Sequence, residues 1–235
     1  MWLIAEYQPV GLFSLKSALA TSSGGKSLLM FTPFALKMGL LDAAYRVYGK
    51  ARVSDLWPLL RDLPVALDFS EQIVVTNLFT KILKPRRGEA PAGAADAGPL
   101  QKTIAFREYV WPVGAWRIAL GVSTAQQGDM LIRLLLQINY LGKRGSFVQI
   151  VGLPQTAAEL PASCVWLNAP EGQPVFSSQG VMQVLDDCGP QMSLDHADIY
   201  SGKTIRTGKE RRLHHVVLPY RQVRASKSYT LYERF

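Results

Sequence analysis

Apolar residues fall along this chain in short blocks, some alternating with polar residues and others recurring at helical spacing. In the first sixteen residues (MWLIAEYQPVGLFSLK) the alternation is broken, with Pro9 and Gly11 in the middle, which predicts an opening strand with a bend or bulge. Thr32 followed by Pro33 is a helix start: a hydroxyl caps the first turn, and proline sits where its missing amide costs nothing. The helix is expected to run to Gly49 as its C-terminal cap. Leu36, Leu40, Ala43, Ala44 and Val47 line its apolar face, while Lys37, Asp42 and Arg46 are polar, the last two spaced to pair. Gly39 inside a helix costs about 1 kcal/mol relative to alanine and suggests a close backbone approach. Residues 53–60 read as a short helix interrupted by Pro58, and residues 63–69 as extended.

The chain is organised around residues 72–122. Two β-rich runs, IVVTNLF and TIAFREYVW, are held apart by Lys84, Pro85, Arg86 and Arg87 and then by a segment, residues 88–99, made mostly of Gly, Ala and Pro. That insert has too little apolar surface to offset the entropy of ordering it, so a mobile, exposed tip is expected. The pattern predicts a long arm that carries cations near its end.

Beyond the arm, Gly114 permits a turn and Trp116, Ile118 and Leu120 alternate into another strand. Residues 129–138 (DMLIRLLLQI) predict a largely buried helix. A turn follows, Gly142, Lys143, Arg144 and Gly145, before a strand over residues 147–151. Its two glycines let backbone approach a ligand and its two cations supply charge, although a tight helix-to-strand connection has the same composition. Five prolines punctuate residues 153–195, which read as loop-rich and β-leaning. Strand-like pieces recur at residues 213–220 and 228–232, where Tyr220, Tyr229 and Tyr232 suit either base stacking or packing against the body.

Charge sharpens this picture. The 235-residue chain has a formal net charge of +8. Residues 201–235 hold nine cations against Glu210 and Glu233, so a surplus of seven lies in that segment. Such a footprint suits a polyanion, and equally a solubilising surface or a contact with an acidic protein. Cys164 and Cys188 read as a pair only if the fold joins them, and otherwise as ordinary thiols of a reducing compartment. The N-terminus lacks the basic and apolar pattern of a signal peptide, and no stretch has the apolar length of a membrane span, so a cytoplasmic protein with no membrane partner is expected. Asp186, Asp187, Cys188 and His196 lack metal-ligand spacing; no metal and no cofactor is expected.

Residues 20–27 imitate a phosphate loop, ending Gly25, Lys26, Ser27, with Asp68 in the position of a magnesium-binding acid. A true phosphate loop opens directly into a helix, whereas LLMFTP follows here, so nucleotide binding is a lesser alternative.

Taken in order, the FTPFALKMGLLDAAYRVYG helix, the IVVTNLFTKILK to TIAFREYVW arm and YLGKRGSFVQI resemble the Cas five family of CRISPR effector complexes, within the RAMP superfamily. The sharpest matches are FREY and GKRGSFV. The resemblance implies an α+β fold: an RRM-like, ferredoxin-type RAMP domain over residues 1–152, with a long β-hairpin thumb at residues 72–122, and a β-rich, basic C-terminal region over residues 153–235. It implies a subunit that grips the 5′ handle of the CRISPR RNA at the end of a type I Cascade. Neighbouring backbone and large subunits would be its partners, and target DNA an indirect one. Candidate RNA contacts are Lys26, Lys37, Arg46, Lys84, Arg86, Arg87, Arg107, Tyr109, Gly142, Lys143, Arg144 and Gly145. Some members of the family also cut precursor RNA with a Tyr, Lys and His set. Here His196, His214 and His215 all fall outside the matched region, so a non-catalytic binder is expected, with a metal-independent endoribonuclease as the alternative.

Overall fold

The computed structural model describes residues 1–20, 25–89, 93, 98–170 and 179–235. Strand β1 (Trp2–Pro9) ends at the predicted Pro9 break, and two short strands, β2 (Leu15–Lys16) and β3 (Ser27–Leu28), pair beyond it. Helix α1 (Pro33–Asp62) begins as expected, with Thr32 Oγ1 accepting from the Ala35 amide at 3.1 Å. At Gly49 it breaks, with φ at +73°, so that two helical segments meet at the glycine. Val47, expected on the apolar face, is exposed.

Four strands and a helix complete the middle of the chain: β4 (Val65–Asp68), β5 (Gln72–Pro85), β6 (Leu100–Val113), β7 (Trp116–Gly121) and α2 (Ala125–Leu135). Helix α2 starts four residues before the predicted 129, because Thr124 Oγ1 accepts from the Gln127 amide and caps it there. Then come β8 (Val148–Ile150), β9 (Gln155–Ala157) and β10 (Val165–Trp166). The body sheet has the order β10, β4, β7, β1, β8, with β9 pairing the other end of β1. Because β1 and β4 are each antiparallel to β7, they run parallel to one another, joined by the α1 crossover.

One face of this sheet is apolar and covered by helices. Leu3, Ala5 and Tyr7 stand opposite Leu120, Ile118 and Trp116, and all are buried. The Tyr7 hydroxyl donates to the Leu135 carbonyl at 2.7 Å, tying the central strand to the end of α2.

The arm is a β5–β6 ribbon in continuous register from Gln72 opposite Val113 to Pro85 opposite Leu100. It is shorter than the predicted residues 72–122. Gly114, with φ at +104°, turns the chain, and the alternating Trp116, Ile118 and Leu120 enter the body sheet as β7. Of the insert over residues 88–99, most lies outside the described residues.

The C-terminal region is not a separate lobe. Strands β11 (Val181–Cys188) and β12 (Arg211–Leu218) form a hairpin against α1, and a 3₁₀ turn (Leu194–Ala197) lies between them in sequence. Strands β13 (Tyr220–Ala225) and β14 (Tyr229–Arg234) extend the root of the ribbon into a sheet of order β13, β14, β5, β6. Together with β9 and β10, they splice residues 153–235 into both sheets of the first 152 residues, so that boundary marks no division in the packing. Bracing by β14 stops at Thr76, opposite Tyr229. From Asn77 to Pro85 the ribbon is two-stranded, a reach of roughly 30 Å at strand rise.

Candidate nucleic-acid interface

The short β2–β3 pair gathers the cations at the root of the ribbon. Register sets Lys16 opposite Ser27, and Gly25 bridges in parallel to Arg107 of β6. The Ser27 amide donates to the Glu108 carboxylate at 2.9 Å, and the Glu108 amide to the Gly25 carbonyl at 3.3 Å. Lys26, exposed, is thereby fixed next to Arg107. Tyr109 stands opposite Thr76 and Arg107 opposite Leu78, so both belong to one face of the ribbon.

The glycine turn joins this cluster from the other side. A Cβ on Gly142 would come within 2.8 Å of Leu15 Cδ1, and its φ of +75° favours glycine independently. Gly142 therefore serves the packing of β2 as well as lying beside the turn's cations. Gly145 differs: φ is +98°, but a Cβ there would meet nothing within 4 Å. Hydrogen bonds from the Ser146 amide to the Lys143 carbonyl, 3.0 Å, and from the Leu141 amide to the Ser146 carbonyl, 3.1 Å, close the turn and leave Lys143 and Arg144 exposed at its tip. Five cations, Lys16, Lys26, Arg107, Lys143 and Arg144, thus belong to three segments that share β2 and β3 as their anchor.

The tip cations are remote from this root. Lys84 stands opposite Gln101, six register steps from Leu78 and Arg107, or about 20 Å. Arg86 Nε donates to the Gly98 carbonyl at 3.4 Å, and the Arg86 amide to the Pro99 carbonyl at 2.9 Å. One face of the ribbon between root and tip carries Phe79 beside Phe106, their ring centroids 4.9 Å apart, then Lys81 beside Ile104 and Leu83 beside Lys102. Phe79 is 74% exposed and Ile104 67%. This mixed apolar and basic face did not emerge from the sequence reading, although the alternation Phe79, Lys81, Leu83 contained it.

Two candidates leave the site. Lys37 is 1% exposed; its Nζ lies 2.7 Å from Asp187 Oδ1 and donates to the Arg61 carbonyl at 2.7 Å. Its charge is neutralised inside the protein. The sequence held the signal, since Lys37 shares helical spacing with Pro33, Leu40, Leu41 and Ala44, all buried. Arg46 makes the expected pair with Asp42, 3.1 Å, and also donates to the Gln137 carbonyl at 2.8 Å, which staples α1 to the end of α2. It remains on the surface, engaged with Asp42 and Gln137.

The phosphate-loop alternative does not survive the geometry. Ser27 lies in a strand, its hydroxyl accepting from the Leu15 amide at 2.9 Å, and the next helix starts only at Pro33. Asp68 is engaged by Arg117 and by Arg234, the latter at 2.7 Å, so it is not held ready for a cation. Residues 21–24 of that loop lie outside the described residues.

Of the histidines, His196 Nδ1 lies 2.8 Å from Ser193 Oγ in a capping arrangement, and His215 is exposed. His214 lines a cavity of about 680 Å³ with Arg61, Asn168 and Arg212, and burial holds its imidazole below the ordinary value. Lys37 and Asp187 close that cavity's floor as a pair already satisfied. Among the described residues no group of three His, Cys, Asp or Glu side chains is placed to hold a metal ion. Both cysteines are free thiols, and burial raises Cys188 to about 12 and Cys164 to about 11. Among the described residues no helix is long and apolar enough to cross a membrane.

No protein-family profile and no curated protein matches the sequence. Among solved structures, the chain is similar to one described as a CRISPR RNA-guided surveillance complex, at 12% identity and a TM-score of 0.44, over 93% of this chain and 91% of that one. It is also similar to a CRISPR protein from Archaeoglobus fulgidus, at 12% identity and a TM-score of 0.43, over 100% of this chain and 92% of that one. Both neighbours are CRISPR proteins.

Proposed function

We propose that this chain is a non-catalytic subunit that holds single-stranded RNA, the 5′ handle of a CRISPR RNA, and caps the backbone of a type I Cascade. The observation that carries this reading is the gathering of Lys16, Lys26, Arg107, Lys143 and Arg144 around β2 and β3, at the root of a ribbon whose tip brings Lys84, Arg86 and Arg87. Two separated cationic stations suit a strand that lays its phosphates on the cations, and Phe79 and Phe106, on the face of the ribbon opposite Arg107 and Lys84, offer rings to bases that pass around its edge. The arrangement β1, α1, β4, β7, α2, β8, with spatial order β4, β7, β1, β8, supports an RRM-like, ferredoxin-type body. The ribbon then occupies the β4 to β7 connection, as the thumb of the RAMP resemblance requires.

Fluorescence anisotropy with a repeat-derived single-stranded RNA between 50 and 200 mM salt tests this. Removing Lys143 and Arg144 together should reduce the slope of log affinity against log salt by about 1.4, at roughly 0.7 per phosphate contact. An unchanged slope and affinity would remove the turn from the site, and a protein that binds no RNA at all would instead support an adaptor for acidic protein surfaces. Incubation with repeat RNA in the absence of metal addresses the endoribonuclease alternative: the RNA is expected to stay intact, and cleavage would overturn the non-catalytic assignment.

A further inference from the structure

A cavity of about 290 Å³ opens beside the glycine turn, lined by Phe34, Met38 and Tyr140 together with Lys16, Asp186 and Arg211. That volume is at the small end for ligand sites and suits a single heterocycle better than a larger molecule. One of its polar groups, Arg211, is incompletely satisfied. The Arg211 guanidinium lies 4.3 Å from the centre of the Phe34 ring, and its Nε is buried without a hydrogen-bond partner. That Nε is 3.5 Å from Asp186 Oδ2, at the outer limit of a hydrogen bond. Asp186 is 9% exposed, and among the described residues its carboxylate has no other ionic partner. A buried guanidinium nitrogen left this way is costly unless something else completes it.

We propose that this cavity receives one extruded guanine base of the bound RNA. Phe34 and Tyr140 offer flat apolar surface for a heterocycle. A carboxylate only accepts, and guanine alone among the four RNA bases presents two adjacent N–H groups, N1 and N2, for bidentate pairing with it. Adenine and cytosine offer an amino group next to an acceptor, and uracil one N–H between two carbonyls, so each sets a lone pair against the Asp186 carboxylate. Arg211, whose Nε lacks a partner, supplies a donor for the guanine O6. The base would enter from the strand lying across Lys143 and Arg144, whose turn forms the cavity rim through Gly142. This inference rests on the RNA-binding reading and adds to it a position at which base identity is read.

The test uses the full chain and uridine octamers that are either uniform or carry one central guanosine, adenosine, inosine or xanthosine. Guanosine should bind at least tenfold tighter than uniform uridine, inosine should lose most of that gain because it lacks the N2 amine, and adenosine should show none. Asp186→Asn replaces one acceptor by a donor, so the preference should move from guanosine to xanthosine, whose 2-oxo group accepts. Tyr140→Leu keeps the cavity apolar without the stacking ring, and should cut the advantage of the guanosine octamer over uniform uridine severalfold; it decides the matter if Asp186→Asn fails to fold by circular dichroism. Equal binding of all octamers, or a guanosine preference that persists in the variants, overturns the guanine pocket and leaves RNA binding standing. Binding of none overturns both.

Discussion

Lys37 Nζ lies 2.7 Å from Asp187 Oδ1, deep between α1 and the β11–β12 hairpin, and this contact locks the C-terminal hairpin to the first helix of the body. Asp187 also accepts from Asn168 Nδ2 at 2.8 Å, and Asn168 in turn accepts from the Val65 amide and donates to the Leu63 carbonyl. One buried carboxylate therefore organises the end of α1, the start of β4 and β11. Lys37→Met should destabilise the protein by about 3 to 5 kcal/mol, because it leaves that carboxylate without its cation. Urea denaturation reads the loss. Protein that remains folded should bind RNA with unchanged salt dependence, which separates a buried lysine from a contacting one.

Arg234 forms a second lock. Its Nη1 donates to Asp68 Oδ1 and to the Phe69 carbonyl, at 2.7 and 2.8 Å, and Nη2 to the Ser163 carbonyl at 2.7 Å. Asp68→Asn should cost about 3 kcal/mol, as in other buried pairs that lose one partner. Burial alone would raise the Asp68 pKa, but the hydrogen bonds from Arg234 and Arg117 outweigh it and hold the carboxyl below its ordinary value of 3.8. A depressed folded pKa means that the stabilisation is fully present above pH 3.8 and is lost as pH falls further through the folded value. Wild type should therefore lose stability on acidification below pH 3.8 more steeply than Asp68→Asn, measured by thermal melts from pH 5 to pH 2.5.

The two glycines of the basic turn predict unequal outcomes. Gly142→Ala meets both a φ of +75° and Leu15 at 2.8 Å, and should cost about 2 to 3 kcal/mol and loosen β2. Gly145→Ala meets only its φ of +98°, in open space, and should cost about 1 kcal/mol. Hydrogen exchange at the Leu15 amide, which donates to Ser27 Oγ, should accelerate in the first variant and not in the second.

Gly39→Ala should stabilise. A Cβ there would lie 3.8 Å from Leu141 Cδ2 and the Tyr140 carbonyl, ordinary contact distance, so the helix gains up to about 1 kcal/mol without a clash. An unchanged or lower melting temperature would show that the helix needs the glycine for a closer approach than this one.

What was legible in the sequence was local. Thr32 with Pro33 and the Gly49 break involve neighbours within a turn, and the β-branched runs of the ribbon pair with each other across a single connection, so pattern alone locates them. Residues 153–235 gave only fragments, because β9, β10 and β14 find their partners on β1, β4 and β5, which sit far away in sequence. The same distance hid the site. Nothing local places Arg211 beside Phe34, or Gly142 against Leu15. Lys37 was misassigned for a different reason: residue type outweighed its place on the apolar stripe, where only a distant Asp187 makes a charge tolerable.

The sheet that stiffens the ribbon root is closed by a strand that follows it by about 150 residues in sequence, Tyr229 lying opposite Thr76. During synthesis at roughly 5 to 20 residues per second, the two arms of the ribbon emerge several seconds before their brace. Throughout that interval β5 presents an open edge to any other strand in reach. In the stretch that β14 later covers, only Gln72 and Thr76 are polar, so Asn77, Thr80, Lys81 and Lys84 just beyond it carry most of the protection against pairing with the wrong neighbour.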